Sequence, residues 1–191
     1  MLDTSLPYIP VVMVCEDPHP MAGWTLPEGY TVRLWEPELS YAWCAVESAA
    51  GEFKTPEDAM AHFEKEFLPH PDELRKRMYL AFAPDGQPAG TVSLWFSDKL
   101  GKMMPRIHWV ATHPDHEQKG IAKALLSLAL TDVHEPVFLT TQTTSWPAVR
   151  LYKHLGFVPY EKRPVIWIGD WQPEEAWKLI DEKIKAFEAQ K

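Results

Sequence analysis

Arg106–Ala129 reads RIHWVATHPDHEQKGIAKALLSLA, and its periodicity changes once along the way. Ile107, Trp109 and Ala111 alternate with His108, Val110 and Thr112, the period of a strand with two distinct faces. After the turn His113-Pro114-Asp115-His116, the apolar residues Ile121, Leu125, Leu128 and Ala129 recur at helical spacing, and Gly120 stands where the helix opens. A strand therefore feeds a helix N-terminus. The first N–H groups of a helix lack intrahelical partners and lie at the positive end of its dipole, so a glycine there lets a phosphate approach bare backbone. Glu117-Gln118-Lys119-Gly120-Ile121-Ala122 reads as an anion cradle, against the plainer reading of a helix start without ligand.

Pro114 precedes Gly120 by six residues, and Gly120-Ile121-Ala122 closes a pattern of Gln or Arg, two residues, Gly, one residue, then Gly or Ala. Glu117 occupies its first position, with Gln118 and Lys119 beside it; a motif that works through backbone N–H groups tolerates that exchange. Downstream, Ser145–Phe157 reads SWPAVRLYKHLGF, the form Asn-x-x-Ala-x-x-Leu-Tyr-x-x-x-Gly-Phe with Ser145 in place of Asn. Two motifs in this order and spacing are far more specific than either alone. On them, the chain from Ala89 to Tyr160 resembles the GNAT superfamily of acyl-CoA-dependent N-acyltransferases.

Composition sets the outer limits. A chain of 191 residues is the size of one domain with a substantial core. The net charge of −8 argues against a nucleic-acid binder and is compatible with a cationic amine as substrate. Cys15 and Cys44 are too few for a disulfide framework, so a reducing cytoplasm is expected. The apolar run Ile9 to Cys15 is seven residues long with no basic residue before it, which fits neither a signal peptide nor a membrane span.

Residues 1–30 carry five prolines around Val11–Cys15 and read as an N-terminal arm laid on the domain. A strand is expected at Thr31–Trp35, then a helix after Glu36-Pro37-Glu38 with Leu39, Trp43, Val46 and Ala50 on one face. Thr55-Pro56-Glu57-Asp58 combines an N-cap, a proline at the first helical position and acids in the first turn, opening a helix with Met60, Phe63 and Phe67 on its buried stripe. Asp72–Arg77 adds a short helical turn, and Asp85-Gly86 joins two strands in a hairpin. Val137–Thr141 is a further strand, and Gly156 suits the left-handed position after the helix over Trp146–Leu155. Arg163–Gly169 alternates like a last strand, and residues 173–191 form a terminal helix whose stripe Trp177, Ile180, Ile184 and Phe187 docks within the chain or, failing that, on a second subunit of a homodimer. The order matches a single α/β (α+β) domain over residues 1–191, a GNAT-type mixed, mostly antiparallel sheet flanked by helices.

Acyl transfer from a thioester to an amine requires deprotonation of the amine, N–H donors for the carbonyl oxygen and a proton for the leaving thiolate. The resemblance implies that Val110-Ala111-Thr112 splays from the Val137–Thr141 strand and offers backbone N–H groups to the donor, and that Ser145 takes over an Asn contact to the pantetheine chain with a shorter reach. It also implies Tyr152 as general acid, against a core or merely orienting tyrosine. His108 is the candidate base, at a strand position where relatives carry Glu or His, with water as its substitute. His108, His113, Asp115 and His116 fit no common zinc spacing, so no metal is expected. Lys119, Lys123, Arg150 and Lys153 are either phosphate partners or solvated cations. Trp95, Trp109, Trp146 and Trp167 would suit an aromatic cage, although Trp at sheet positions is usually core. The expected function is acetyl-CoA-dependent N-acetylation of a small-molecule or peptide amine, without nucleic acid or membrane as partner. A non-catalytic acyl-CoA-binding regulatory module is the alternative.

Overall fold

Prolines open most of the helices, and apolar alternation sets the strands. A computed structural model describes residues 2–190; Met1 and Lys191, the outermost residues of the expected arm and terminal helix, lie outside the described residues. In chain order the elements are β1 (Pro10–Cys15), β2 (Thr31–Leu34), α1 (Ser40–Ala49), α2 (Pro56–Glu66), α3 (Pro71–Arg77), β3 (Met78–Phe82), β4 (Pro88–Ser97), β5 (Met104–Thr112), α4 (Ile121–Ala129), β6 (Val137–Gln142), α5 (Trp146–His154), β7 (Val158–Pro159) and α6 (Pro173–Glu188). The sheet has seven strands in the order β2-β3-β4-β5-β6-β1-β7. Its β5–β6 pair is parallel, and β1–β6, β1–β7, β2–β3 and β3–β4 are antiparallel. By contacts the chain falls into two compact units, one of Met1–Pro18, Phe96–Ile107 and His134–Lys191, the other of His19–Trp95 and His108–Val133.

In the first unit β1 is flanked by strands on both sides. Val12 faces Thr140 of β6, Val14 faces Val158 of β7, and Val11, Val12 and Met13 are fully buried. The arm expected over residues 1–30 is thus corrected for Pro10–Cys15: an uninterrupted apolar run is what a strand covered on both faces requires. Asp3 secures the chain ahead of it, accepting from Trp146 Nε1 at 3.0 Å and pairing with Lys183 at 2.8 Å. The strand expected at Arg163–Gly169 does not form. Val165 and Ile168 are exposed, Trp167 packs edge-on against Trp171, and the last strand is the two-residue β7. Alternation without a neighbouring strand to close its hydrogen bonds leaves such a segment as loop. The α6 stripe docks within the chain, with Ala176, Trp177, Ile180 and Ile184 buried.

In the second unit the Thr55 hydroxyl caps α2 by accepting from Asp58 N at 3.1 Å. Trp43 of α1 packs against Phe63 of α2 and against Phe67 just past the end of α2, both fully buried, so the core reading of those two Phe holds. Asp85-Gly86 turns the β3–β4 hairpin with Gly86 at φ 84°. Gly90 of β4 decides how closely α4 approaches: a Cβ there would stand 2.8 Å from Ile121 Cγ2 and 3.2 Å from the Ala111 carbonyl oxygen. Ile121 and Leu125 line this contact and are buried, each stabilising by about 2 kcal/mol. Leu128, expected on the same stripe, is 37% exposed; Ala124 and Leu126 take the inner positions instead. Beyond Pro18, Met21 N donates to Ser127 Oγ at 2.8 Å.

Candidate active site

The segment expected as an anion cradle lies at the start of α4. His113 N donates to the Ala89 carbonyl at 3.0 Å, tying the turn to β4, and Asp115 N lies 3.3 Å from His113 Nδ1. Gln118 and Gly120 then adopt left-handed backbone, φ 60° and 86°, before the chain enters the helix. Among the described residues no side chain caps that N-terminus, and the position a Gly120 Cβ would take is open. Lys119 Nζ donates to the Asp115 carbonyl at 2.8 Å, and Lys123 lies over the Trp24 ring at 5.3 Å, so both cations sit beside this turn.

Strand β5 departs from simple alternation at Trp109, whose φ is 50°. In a regular strand His108 and Trp109 would point to opposite faces. Here both reach one carboxylate on α2. His108 Nε2 is 2.7 Å from Glu66 Oε1, Trp109 Nε1 donates to Oε2 at 2.9 Å, and His62 Nε2 is 2.7 Å from Oε2. Burial acts to raise the pKa of Glu66, but the bonds from His108, Trp109 and His62 and the charge of His108 outweigh it and lower it to about 2. Side-chain exposure rises from 12% at His108 to 27% at Glu66 and 39% at His62, so this bonded group runs from the interior to the surface. Aromatic rings wall it: Phe53 stacks on Trp109 with centroids 5.3 Å apart, and Trp43 meets Trp109 edge-on at 5.4 Å. Of the four Trp considered for a cage, Trp109 stands here, whereas Trp95 packs on Phe67, Trp146 on Phe187 and Trp167 on Trp171.

In the other unit Tyr152 is buried on α5, 6.1 Å from the Phe157 ring, and its carbonyl accepts from Leu155 N and Phe157 N where Gly156 turns left-handed at φ 83°. Ser145 Oγ, at the start of α5, accepts from Gln142 Nε2 at 2.9 Å. Lys153 pairs with Asp181 at 2.6 Å, and Arg150 lies 4.8 Å from the Phe187 ring, so both cations face α6. Among the described residues no group of three or more His, Cys, Asp or Glu could hold a metal ion, and His116 Nδ1 instead lies 3.0 Å from the Tyr30 hydroxyl.

The profile of the Acetyltransferase (GNAT) family matches residues 32–157, more than half of the chain and both motifs. The chain belongs to the GNAT acetyltransferase family. The fold of this GNAT protein is similar to a GCN5-related N-acetyltransferase from Sphaerobacter thermophilus, with a TM-score of 0.55, 26% identity, and 80% of this chain and 50% of that one covered. A GCN5-related N-acetyltransferase from Kribbella flavida gives 0.51 at 19% identity over 83% and 56% of the two chains. A tandem GNAT protein from the clavulanic acid biosynthesis pathway gives 0.56 at 18% over 83% and 52%. This chain spans about half the length of those proteins. No curated protein matches the sequence significantly.

GNAT proteins draw on acyl-CoA, and the residues at α4 fit its diphosphate: left-handed backbone at Gln118 and Gly120, open space at Gly120 and an uncapped helix start. The sequence motifs missed Glu66, His62 and Trp43. Glu66 lies 42 residues from His108, and the local pattern of α2 marks it only as one more polar position. No helix among the described residues is long and apolar enough to cross a membrane.

Proposed function

We propose that this GNAT protein transfers an acetyl group from acetyl-CoA to a primary amine of a small molecule or peptide, by direct attack in a ternary complex and in the cytoplasm. The observation that carries the reading is the left-handed backbone at Gln118 and Gly120 opening onto an uncapped helix N-terminus. The thioester of acetyl-CoA supplies the activated acyl group. Glu117–Ala122 hold the diphosphate through backbone N–H groups, and Val110, Ala111 and Thr112 offer main-chain donors to the pantetheine arm and the carbonyl oxygen. Ser145 contributes a hydroxyl toward the pantetheine chain. His108 takes the proton of the amine, and Tyr152 donates its phenolic proton to the departing sulfur. The net charge of −8 and the ionised Glu66 favour a cationic acceptor.

The test is release of free thiol from acetyl-CoA across a panel of amines, peptides and aminoglycosides, paired with CoA-induced thermal shift, since a ligand of the native state raises stability. Tyr152→Phe should retain CoA affinity and lose turnover by about 10²- to 10⁴-fold, the size of a general-acid contribution. CoA binding without turnover on any amine would favour the acyl-CoA-binding module, and no thermal shift would exclude both.

A further inference from the structure

Residues 19–30 precede the family match, which begins at residue 32, yet they meet the turn and helix of the candidate cradle at three places, all inside one compact unit. Met21 N donates to Ser127 Oγ at 2.8 Å, and the same hydroxyl donates back to the Met21 carbonyl at 3.4 Å. Lys123 Nζ lies 5.3 Å from the centroid of the Trp24 ring. The Tyr30 hydroxyl is 3.0 Å from His116 Nδ1, and the two rings meet edge-on at 5.7 Å. From Met21 to Tyr30 the partners fall from Ser127 to His116, so the segment runs counter to α4 and reaches the turn ahead of it. Ser127, Lys123 and Gly120 stand four and three residues apart, which puts them on one face of the helix. Local turns fix the segment itself: Trp24 N donates to the Met21 carbonyl and Tyr30 N to the Pro27 carbonyl, each at 3.1 Å.

Trp24 is only half-buried, and the lysine on its ring is exposed. A flat aromatic face with a solvated cation, set beside a place for a diphosphate, is the combination that takes a phosphorylated nucleoside: the base stacks and the cation meets the phosphate. The covalent structure of CoA brings both groups within reach. Its adenosine is joined directly to the diphosphate and carries a further phosphate on the 3′ oxygen, while Lys123 lies only about 4.5 Å along the helix axis from Gly120. We propose that Trp24 binds the nucleotide half of coenzyme A, the adenine base stacking on its indole and the 3′-phosphate pairing with Lys123 Nζ. This rests on the reading of Glu117–Ala122 as the diphosphate cradle. The contacts at Ser127 and His116 hold the segment in place before the coenzyme arrives, so little freedom is lost on binding.

The test is titration calorimetry of the full-length protein with CoA, with 3′-dephospho-CoA and with 4′-phosphopantetheine, which lacks the adenosine altogether. Trp24→Ala should weaken CoA binding by about 5- to 100-fold, the range of an aromatic stack on a base, and leave phosphopantetheine within about twofold. Trp24→Phe keeps a ring and should recover most of the CoA affinity. The wild type should prefer CoA over dephospho-CoA by about two- to fivefold, the size of an exposed charge pair, and Lys123→Ala should abolish that preference. Unchanged CoA affinity in Trp24→Ala overturns the proposal. Equal losses for CoA and phosphopantetheine overturn it too, because the ring would then be supporting α4 rather than meeting a base. A preference for the 3′-phosphate that survives Lys123→Ala removes that lysine from the site. Failure of the cradle reading looks different: the wild type would then bind none of the three ligands.

Discussion

Glu47 of α1 has 1% of its surface exposed, and its Oε1 has no hydrogen-bond partner. Burial, with the charge of Glu52 adding to it, raises its pKa well above the ordinary carboxylate range. A group whose folded pKa is raised contributes stability that is fully present below its unfolded pKa, near 4.5, and lost as pH rises toward the folded value. Glu47→Gln removes the ionisation while keeping the shape. It should leave stability nearly unchanged at pH 4 and gain on the order of 1–3 kcal/mol at pH 8, about 2–4 °C in Tm per kcal/mol, measured by calorimetry at both pH values. A larger gain at pH 4 would contradict the sign. Helical periodicity identified Trp43 and Val46 as inward but could not mark Glu47, because polarity argues for the surface until packing on every side is known. At Gly120 sequence and structure agree: Gly120→Ala forces a Cβ onto φ 86°, costing about 1 kcal/mol, and should weaken CoA binding measured by titration calorimetry.

Among the elements, α2 and α4 carry the candidate site, and each depends on one identifiable device. Thr55 caps α2, and Thr55→Ala should lower the free energy of urea unfolding by about 1 kcal/mol. Helix α4 depends on the absence of a side chain at Gly90. Gly90→Val would push against Ile121 Cγ2 and the Ala111 carbonyl, so about 1–3 kcal/mol of stability and most of the CoA affinity should be lost together. Unchanged CoA affinity in that variant would show that α4 can shift without disturbing the cradle. The cap at Thr55 could be read directly from Thr-Pro-Glu-Asp. The need for Gly90 could not, because the atoms that crowd it belong to Ala111, Ile121 and Leu125.

At the scale of the molecule, β1 separates an arm from a core strand. Removing residues 1–18 deletes the partner of both β6 and β7, along with the fully buried Val11, Val12 and Met13. At about 2 kcal/mol for each buried side chain, the loss rivals the total stability of an ordinary domain. The truncated chain should therefore be unfolded by circular dichroism and insoluble on expression; a folded truncation would restore the picture of an arm.

Short windows of sequence suffice for whatever depends on near neighbours. The turn His113–His116, the glycine ahead of α4, the cap on α2, the left-handed Gly156 and the two motifs of the family are all legible there, because dihedral preference, capping and periodicity act over a few residues. Tertiary structure alone decided that Pro10–Cys15 enters the sheet while Arg163–Gly169 stays outside it, that Trp109 turns against the alternation of its strand, and that Glu66 meets His108 across 42 residues. Each of these depends on a buried donor, acceptor or apolar face finding its partner from a distant part of the chain. That requirement is satisfied only when the elements pack, so no local pattern records it.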